Sequence, residues 1–278
     1  MPEPGPLRTH TYGTSGPWVI VLHGGPAAIG EAAPLARGLA GSFRVLEPWQ
    51  RGSGGEPLTV ARHVANLHDL VESGPAGARP ALVGESWGAM LALAYAAAHP
   101  GSAGPLVLIG CGTFDPAARA RLRATLDERM DAGLRQRLDR LDAEFPDPGE
   151  RLRQRHRRME SLYSFDPVAP DDAQEGEPFD LRAHTETWAD MVRLQEEGVY
   201  PAAFKAIVSP VLMLHGAYDP HPGRMIRTSL APYLAQMEYR EWERCGHSPW
   251  LERAVREEFF AVLGDWLARR LPGARAGA

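Results

Sequence analysis

The chain has 278 residues, 44% of them hydrophobic, with a formal charge of -5. That length and apolar content allow one domain with a large core and a sizeable insertion, rather than two independent domains. The acidic balance excludes a protein built to hold phosphate backbones or anionic membranes.

The N-terminal "MPEPGPLRTH" has no apolar h-region, and the longest apolar stretch, Ala89 to Ala98, is too short to span a bilayer. A cytoplasmic location is therefore expected. Cys111 and Cys245 are too few for a disulfide framework and lack zinc-ligand spacing, so both read as free thiols and no metal or cofactor is expected. The cationic residues include a single lysine, Lys205, so arginine carries nearly all the positive charge.

In chain order, "WVIVLH" (18–23) and "FRVLE" (43–47) are short β-branched runs that predict buried parallel strands. A helical pattern follows over 58–73, then the strand "ALVGE" (81–85), a helix over 87–99 and the strand "PLVLIG" (105–110). Residues 114 to about 205 break this rhythm: charged and helix-prone, they predict a helical cap inserted into the core. Within it Ala118, Leu122, Leu126, Met130 and Leu134 step by four, predicting one apolar helix stripe buried against the sheet. The run "RLRQRHRR" (151–158) predicts a solvated helix face. "EFPDPGE" (144–150) and "DPVAPDDAQEGEP" (166–178) are Pro-rich breaks, suited to joining helices by mobile loops. The alternation resumes with the strand "PVLMLHG" (210–216), a helix over 223–235, a more exposed strand "MEYREW" (237–242) and a helix over 249–270, before a frayed tail at 273–278. Strands alternating with helices predict an α/β fold, a mostly parallel sheet covered on both faces, with core 1–113 and 206–278 and cap 114–205.

"GESWG" (84–88) places a serine between two glycines where a strand hands over to a helix. That context predicts a sharp elbow in which Gly84 and Gly88 relieve steric clash while Ser86 adopts a strained backbone. A serine hydroxyl needs a base and a group to orient that base. "HGAYD" brings Asp219 just past a buried strand, and "CGHSPW" brings His247 into the loop before the last helix. The order Ser86, Asp219, His247 predicts a catalytic triad. "HGGP" (23–26) predicts an oxyanion hole formed by the Gly25 and Trp87 N–H groups, with His23 orienting the loop. His221 is a pocket-rim candidate. Glu85, one residue from the nucleophile on a strand, should point away from the hydroxyl and be buried for a structural reason. Cys245 has no elbow of its own.

These stretches, with "QRGSG" (50–54), resemble the α/β-hydrolase superfamily and within it the proline iminopeptidase-like branch. That branch usually reads HGGPG, DQRG and GGSWG, whereas here Ala27 follows the proline, Trp49 precedes Gln50 and Glu85 precedes the serine. The resemblance implies recognition of a free α-amino group by acidic side chains partly from the cap, for which Glu186 is the candidate. The expected activity is cleavage of a small ester or amide through an acyl-enzyme, with a small molecule or short peptide as substrate. Carboxylesterase, thioesterase and C–C bond hydrolase are alternatives within the enzyme class. A hydrolase-fold small-molecule binding protein with a silent triad is the alternative outside it.

Overall fold

The structure, a computed structural model, describes residues 7–76, 79–168 and 179–271. It opens with β1 (Thr9–Tyr12), β2 (Trp18–Leu22), α1 (Ala33–Leu39), β3 (Arg44–Pro48), α2 (Val60–Ser73), β4 (Ala81–Glu85), α3 (Trp87–Ala98) and β5 (Leu106–Ile109). Five helices then run without a strand among the described residues: α4 (Pro116–Arg129), α5 (Ala132–Asp139), α6 (Leu141–Glu144), α7 (Pro148–Tyr163) and α8 (Leu181–Glu196). A 3-10 turn, Ala202–Ala206, leads back to β6 (Val211–Gly216), α9 (Gly223–Leu230), β7 (Met237–Trp242), a second 3-10 turn, Pro249–Leu251, and α10 (Arg256–Ala268).

The seven strands form one sheet in the order β1-β3-β2-β4-β5-β6-β7, parallel except for β1, which runs antiparallel to β3. Every residue of β4, β5 and β6 is buried, as expected for parallel strands covered on both faces. Side chains alternate between those faces. Ile20, Leu22, Leu82, Leu108 and Met213 join α2, α3 and α9 in one core. Val19, Val21, Val83, Ile109 and Leu214 join α1 and α10 in the other. Helix α3 is buried at ten of its twelve positions, which explains why its sequence is apolar all round rather than striped.

Several elements differ from expectation for identifiable reasons. Strand β1 is short, polar and half-buried, so it carries no apolar run. Helix α9 ends at Leu230 rather than 235: Ala231 still has a helical backbone, but Pro232 has no N–H with which to continue the hydrogen-bond ladder. The last helix starts at Arg256, not 249, since Pro249 opens a separate 3-10 turn. The four-step stripe is divided between α4 and α5, which meet at Met130 and Asp131. Leu126, Met130 and Leu134 pack with Leu138, Leu141 and Leu162 in a small core internal to the insertion, not against the sheet. The break at 144–150 separates α6 from α7 as expected. The second break falls mostly outside the described residues, as does the tail at 273–278.

The insertion is tied to the core by α8. Carboxylates at its cap and along it accept backbone N–H groups from the loop before α2 and from the first residue of α2: Asp180 Oδ2 from Ser53 at 2.6 Å, Glu186 Oε2 from Leu58 at 2.8 Å and Asp190 Oδ2 from Val60 at 2.8 Å. Val60 opens α2, so Asp190 satisfies an amide that the helix cannot pair and complements its positive end. His63 Nε2 meets Thr187 Oγ1 at 2.9 Å in the same contact.

Candidate active site

Ser86 sits between β4 and α3 with φ 51° and ψ −114°, a left-handed backbone that costs a non-glycine residue roughly 1–3 kcal/mol. The surroundings force this turn. A Cβ at position 84 would stand 2.2 Å from the Gly88 carbonyl oxygen, and one at position 88 would stand 2.2 Å from that of Leu22. Only glycine fits either place, so both glycines of the motif are required by close backbone approach.

Asp219, three residues beyond β6, has a fully buried side chain, and its Oδ2 accepts the His247 Nδ1–H at 2.6 Å. With Nδ1 so engaged, Nε2 is the ring nitrogen left to act as a base. The His247 ring lies over the end of β5: a Cβ on Gly110 would stand 2.9 Å from its Cε1. Ser86 is anchored at the same strand end, its N–H donating to the Ile109 carbonyl at 2.8 Å. The Ser86 hydroxyl makes no hydrogen bond to His247 here; such bonds often tighten only when substrate is bound.

Asp219 holds more than one imidazole. Its Oδ1 accepts both the backbone N–H and the Nδ1–H of His221, each at 2.9 Å, and His215 Nε2 lies 3.3 Å from Oδ2. The His221 ring stacks on that of His247, with centroids 4.8 Å apart. His221 is thus part of the aspartate's hydrogen-bond shell rather than a bare rim residue. His215 was not anticipated from sequence; its signal was a histidine within the strand, four residues before Asp219. Burial raises the cost of a charged Asp219, but the three histidines outweigh it and hold the carboxyl well below the usual range. Burial likewise opposes charge on His247, but the Asp219 charge and hydrogen bond, with Glu85, overcome it and raise the imidazole above its ordinary value. Asp219, His221 and His247 offer three ligand atoms within 4.8 Å of one another, the one such group among the described residues. Both Nδ1 atoms, however, are already spent on the carboxylate.

The expected oxyanion donors lie on linked segments. Gly25 has φ 27° in the loop after β2, and Trp87 opens α3. Neither N–H has an internal acceptor among the described residues. Gln50 joins the two segments: its Oε1 accepts the Trp87 Nε1–H at 2.7 Å, its Nε2 donates to the His23 carbonyl and its N–H reaches His23 Nε2, each at 3.3 Å. Burial pushes the His23 imidazole down to about 4, so it stays neutral and orients this loop. Ala27, where the resembling branch has glycine, adopts φ 80°. His184 of α8 meets the neighbouring Pro26 carbonyl through Nδ1 at 3.0 Å.

Glu85 is buried, with its carboxyl beside Gly24 and with the Ser248 hydroxyl donating to Oε1 at 3.4 Å. Burial pushes its carboxyl up to about 7. Glu186 lines an open concavity of about 520 Å³ between the starts of α7 and α8, shared with Asp147, Phe179 and Arg182 and reaching none of Ser86, Asp219 or His247. Both its oxygens are committed, Oε2 to Leu58 and Oε1 to the Arg182 Nε–H at 2.6 Å. Cys111 and Cys245 are free and buried, and burial pushes both thiols up, so neither is a ready thiolate nucleophile. No helix of the described residues is long and apolar enough to cross a membrane.

Solved structures share this architecture. An esterase from Thermogutta terrifontis superposes with a TM-score of 0.62 at 20% identity, covering 95% of this chain and 94% of its own. The enol-lactonase from Burkholderia xenovorans LB400 gives 0.59 at 18% identity, covering 94% and 96%. The monoacylglycerol lipase of Paleococcus ferrophilus gives 0.61 at 19% identity, covering 94% and 98%. At these identities the likeness shows the fold alone. No protein of curated function matches the chain. The sequence profile of the alpha/beta hydrolase family matches residues 19–261, a span that holds the Ser86 elbow, Asp219 and His247, and on that match the chain belongs to the alpha/beta hydrolase family.

Proposed function

We propose that this hydrolase is a serine hydrolase that cleaves small carboxylic esters through an acyl-enzyme. The observation that carries the reading is the 2.6 Å bond from His247 Nδ1 to the buried Asp219 carboxylate, at the strand edge where the strained elbow lifts Ser86. His247 Nε2 takes the Ser86 proton as the oxygen attacks the acyl carbon, and Asp219 stabilises the imidazolium that forms. The Gly25 and Trp87 N–H groups receive the developing oxyanion, each worth roughly 3 kcal/mol in the transition state. His247 then protonates the leaving group, draws a proton from water and directs the hydroxide to the acyl carbon. The helical insertion acts as a lid, with Tyr163 packed edge-on to the His247 ring, and limits water access to the acyl-enzyme.

Ester cleavage is favoured over aminopeptidase action because both Glu186 oxygens are engaged in docking α8 to the core. Labelling by a fluorophosphonate, followed by a turnover screen of p-nitrophenyl acyl esters beside aminoacyl β-naphthylamides, tests the reading. Ser86-dependent labelling with multiple turnovers on esters supports it. A single slow burst with retained product would replace it with a binding protein carrying a silent triad, and preferred turnover of the naphthylamides would restore the aminopeptidase reading.

A further inference from the structure

Glu252 follows the 3-10 turn Pro249–Leu251 and is 1% exposed. A buried carboxylate ordinarily faces a cation or a full set of donors. Here the partners are three backbone N–H groups: Oε1 accepts from Gly246 and from Phe165, each at 2.8 Å, and Oε2 accepts from Asp166 at 2.7 Å. Gly246 precedes the catalytic histidine, while Phe165 and Asp166 follow α7. One carboxylate thus bonds the His247 loop to the helical insertion.

The surrounding contacts strengthen this link. The His247 N–H donates to the Tyr163 carbonyl at 2.8 Å, the Arg253 N–H to the Asp166 carbonyl at 3.0 Å and the Val168 N–H to the Leu251 carbonyl at 2.7 Å. Pro167 and Glu252 form an antiparallel bridge. Residues 163–168 therefore run along 246–253 as a paired strap. The fit at its centre leaves no slack: a Cβ on Gly246 would stand 2.1 Å from the Tyr163 oxygen and 2.6 Å from Glu252 Oε1.

We infer that Glu252 is a positioning residue that places the His247 imidazole by locking its loop to the end of α7. Asp219 fixes one ring nitrogen, and Glu252 fixes the backbone from which the ring is hung. This inference rests on the serine-hydrolase reading for its kinetic consequence. Removing the carboxylate leaves three amide donors without acceptors within a few residues of His247, so that loop is the element that relaxes.

The test uses the full chain with Glu252→Ala and Glu252→Gln, each checked for folding by circular dichroism and thermal unfolding. Turnover is normalised to the sites that react with fluorophosphonate. The downfield proton NMR signal of His247 Nδ1–H gives a readout independent of turnover. For Glu252→Ala, kcat per active site is expected to fall about 100-fold with KM little changed, the cost of a misplacement near 1 Å, and the downfield signal to broaden or move. Glu252→Gln keeps an acceptor for two of the three donors, so its loss is expected to lie between the two and to decide the matter should the alanine variant fail to fold. Wild-type kcat per site with an unchanged downfield signal in a folded variant would overturn the inference. Failure of the serine-hydrolase reading would appear separately, as turnover that survives Ser86→Ala.

Discussion

At the scale of single residues, the proposed chemistry depends on a strained serine and on how Asp219 biases His247. Replacing Ser86 by Ala is expected to lower kcat by about 10,000-fold or more on an ester that the protein turns over, while substrate binding persists. Steady-state kinetics beside equilibrium binding checks both halves. Protonation is the second handle. In the proposed mechanism His247 must be neutral to accept the Ser86 proton, and its imidazole is raised above the ordinary 6.5, burial notwithstanding, by the Asp219 charge and hydrogen bond. The acid limb of the profile is therefore displaced upward: kcat/KM should rise with pH through a midpoint above 6.5. Asp219→Asn removes the charge that holds the midpoint there and frees the wrong tautomer, so the midpoint should move down and kcat should fall by about 10,000-fold. A midpoint unmoved in that variant would mean that a group other than His247 sets the profile.

At the scale of elements, α8 behaves as a docking strut. Glu186 is held below the usual carboxylate range by the Leu58 N–H and by Arg182, which is the signature of an engaged structural acid. Glu186→Gln is accordingly expected to lower thermal stability and to change kcat/KM by the same factor for amine-bearing and simple ester substrates; a selective loss on the amines would return Glu186 to substrate recognition. The sequence displayed the buried strands almost residue for residue, because β2, β4, β5 and β6 are apolar runs bounded by Gly or Pro. It displayed the proposed triad residues because Ser86, Asp219 and His247 each lie in the segment that follows a recognisable strand pattern. It did not display β1, where four polar residues gain their strand from pairing with β3, nor the division of the apolar stripe, since helical periodicity continues across the turn at Met130 and Asp131. The contacts of Gln50, Glu252 and Glu186 were hidden for a shared reason: each makes a hydrogen bond to a residue far away in the chain, Trp87, Phe165 and Leu58 respectively, which no local pattern encodes.

At the scale of the whole molecule, the loop that carries Gly25 and the loop that carries the proposed base meet at Glu85, whose carboxyl lies beside Gly24 and accepts from the Ser248 hydroxyl. That position makes one side chain a reporter of the whole fold. Burial raises the carboxyl from the 4.5 of an exposed glutamate to about 7, while His247 and the Ser248 and Gly24 hydrogen bonds only partly offset it. An acid whose folded value is raised favours its neutral form in the native state. Its contribution to stability is thus complete below about pH 4.5 and is lost as pH rises through about 7, because over that interval the native state binds more protons than the unfolded chain. The size of the loss is on the order of 3 kcal/mol. Glu85→Gln keeps shape and burial without a charge to desolvate. Urea unfolding at about pH 5 and about pH 8 should therefore show the wild type losing more stability than the variant on going to the higher pH, with the two close to equal at the lower one. Parallel behaviour of the two proteins across that range would show that Glu85 ionises at its ordinary value, and the buried junction between the two loops would then have to be hydrated.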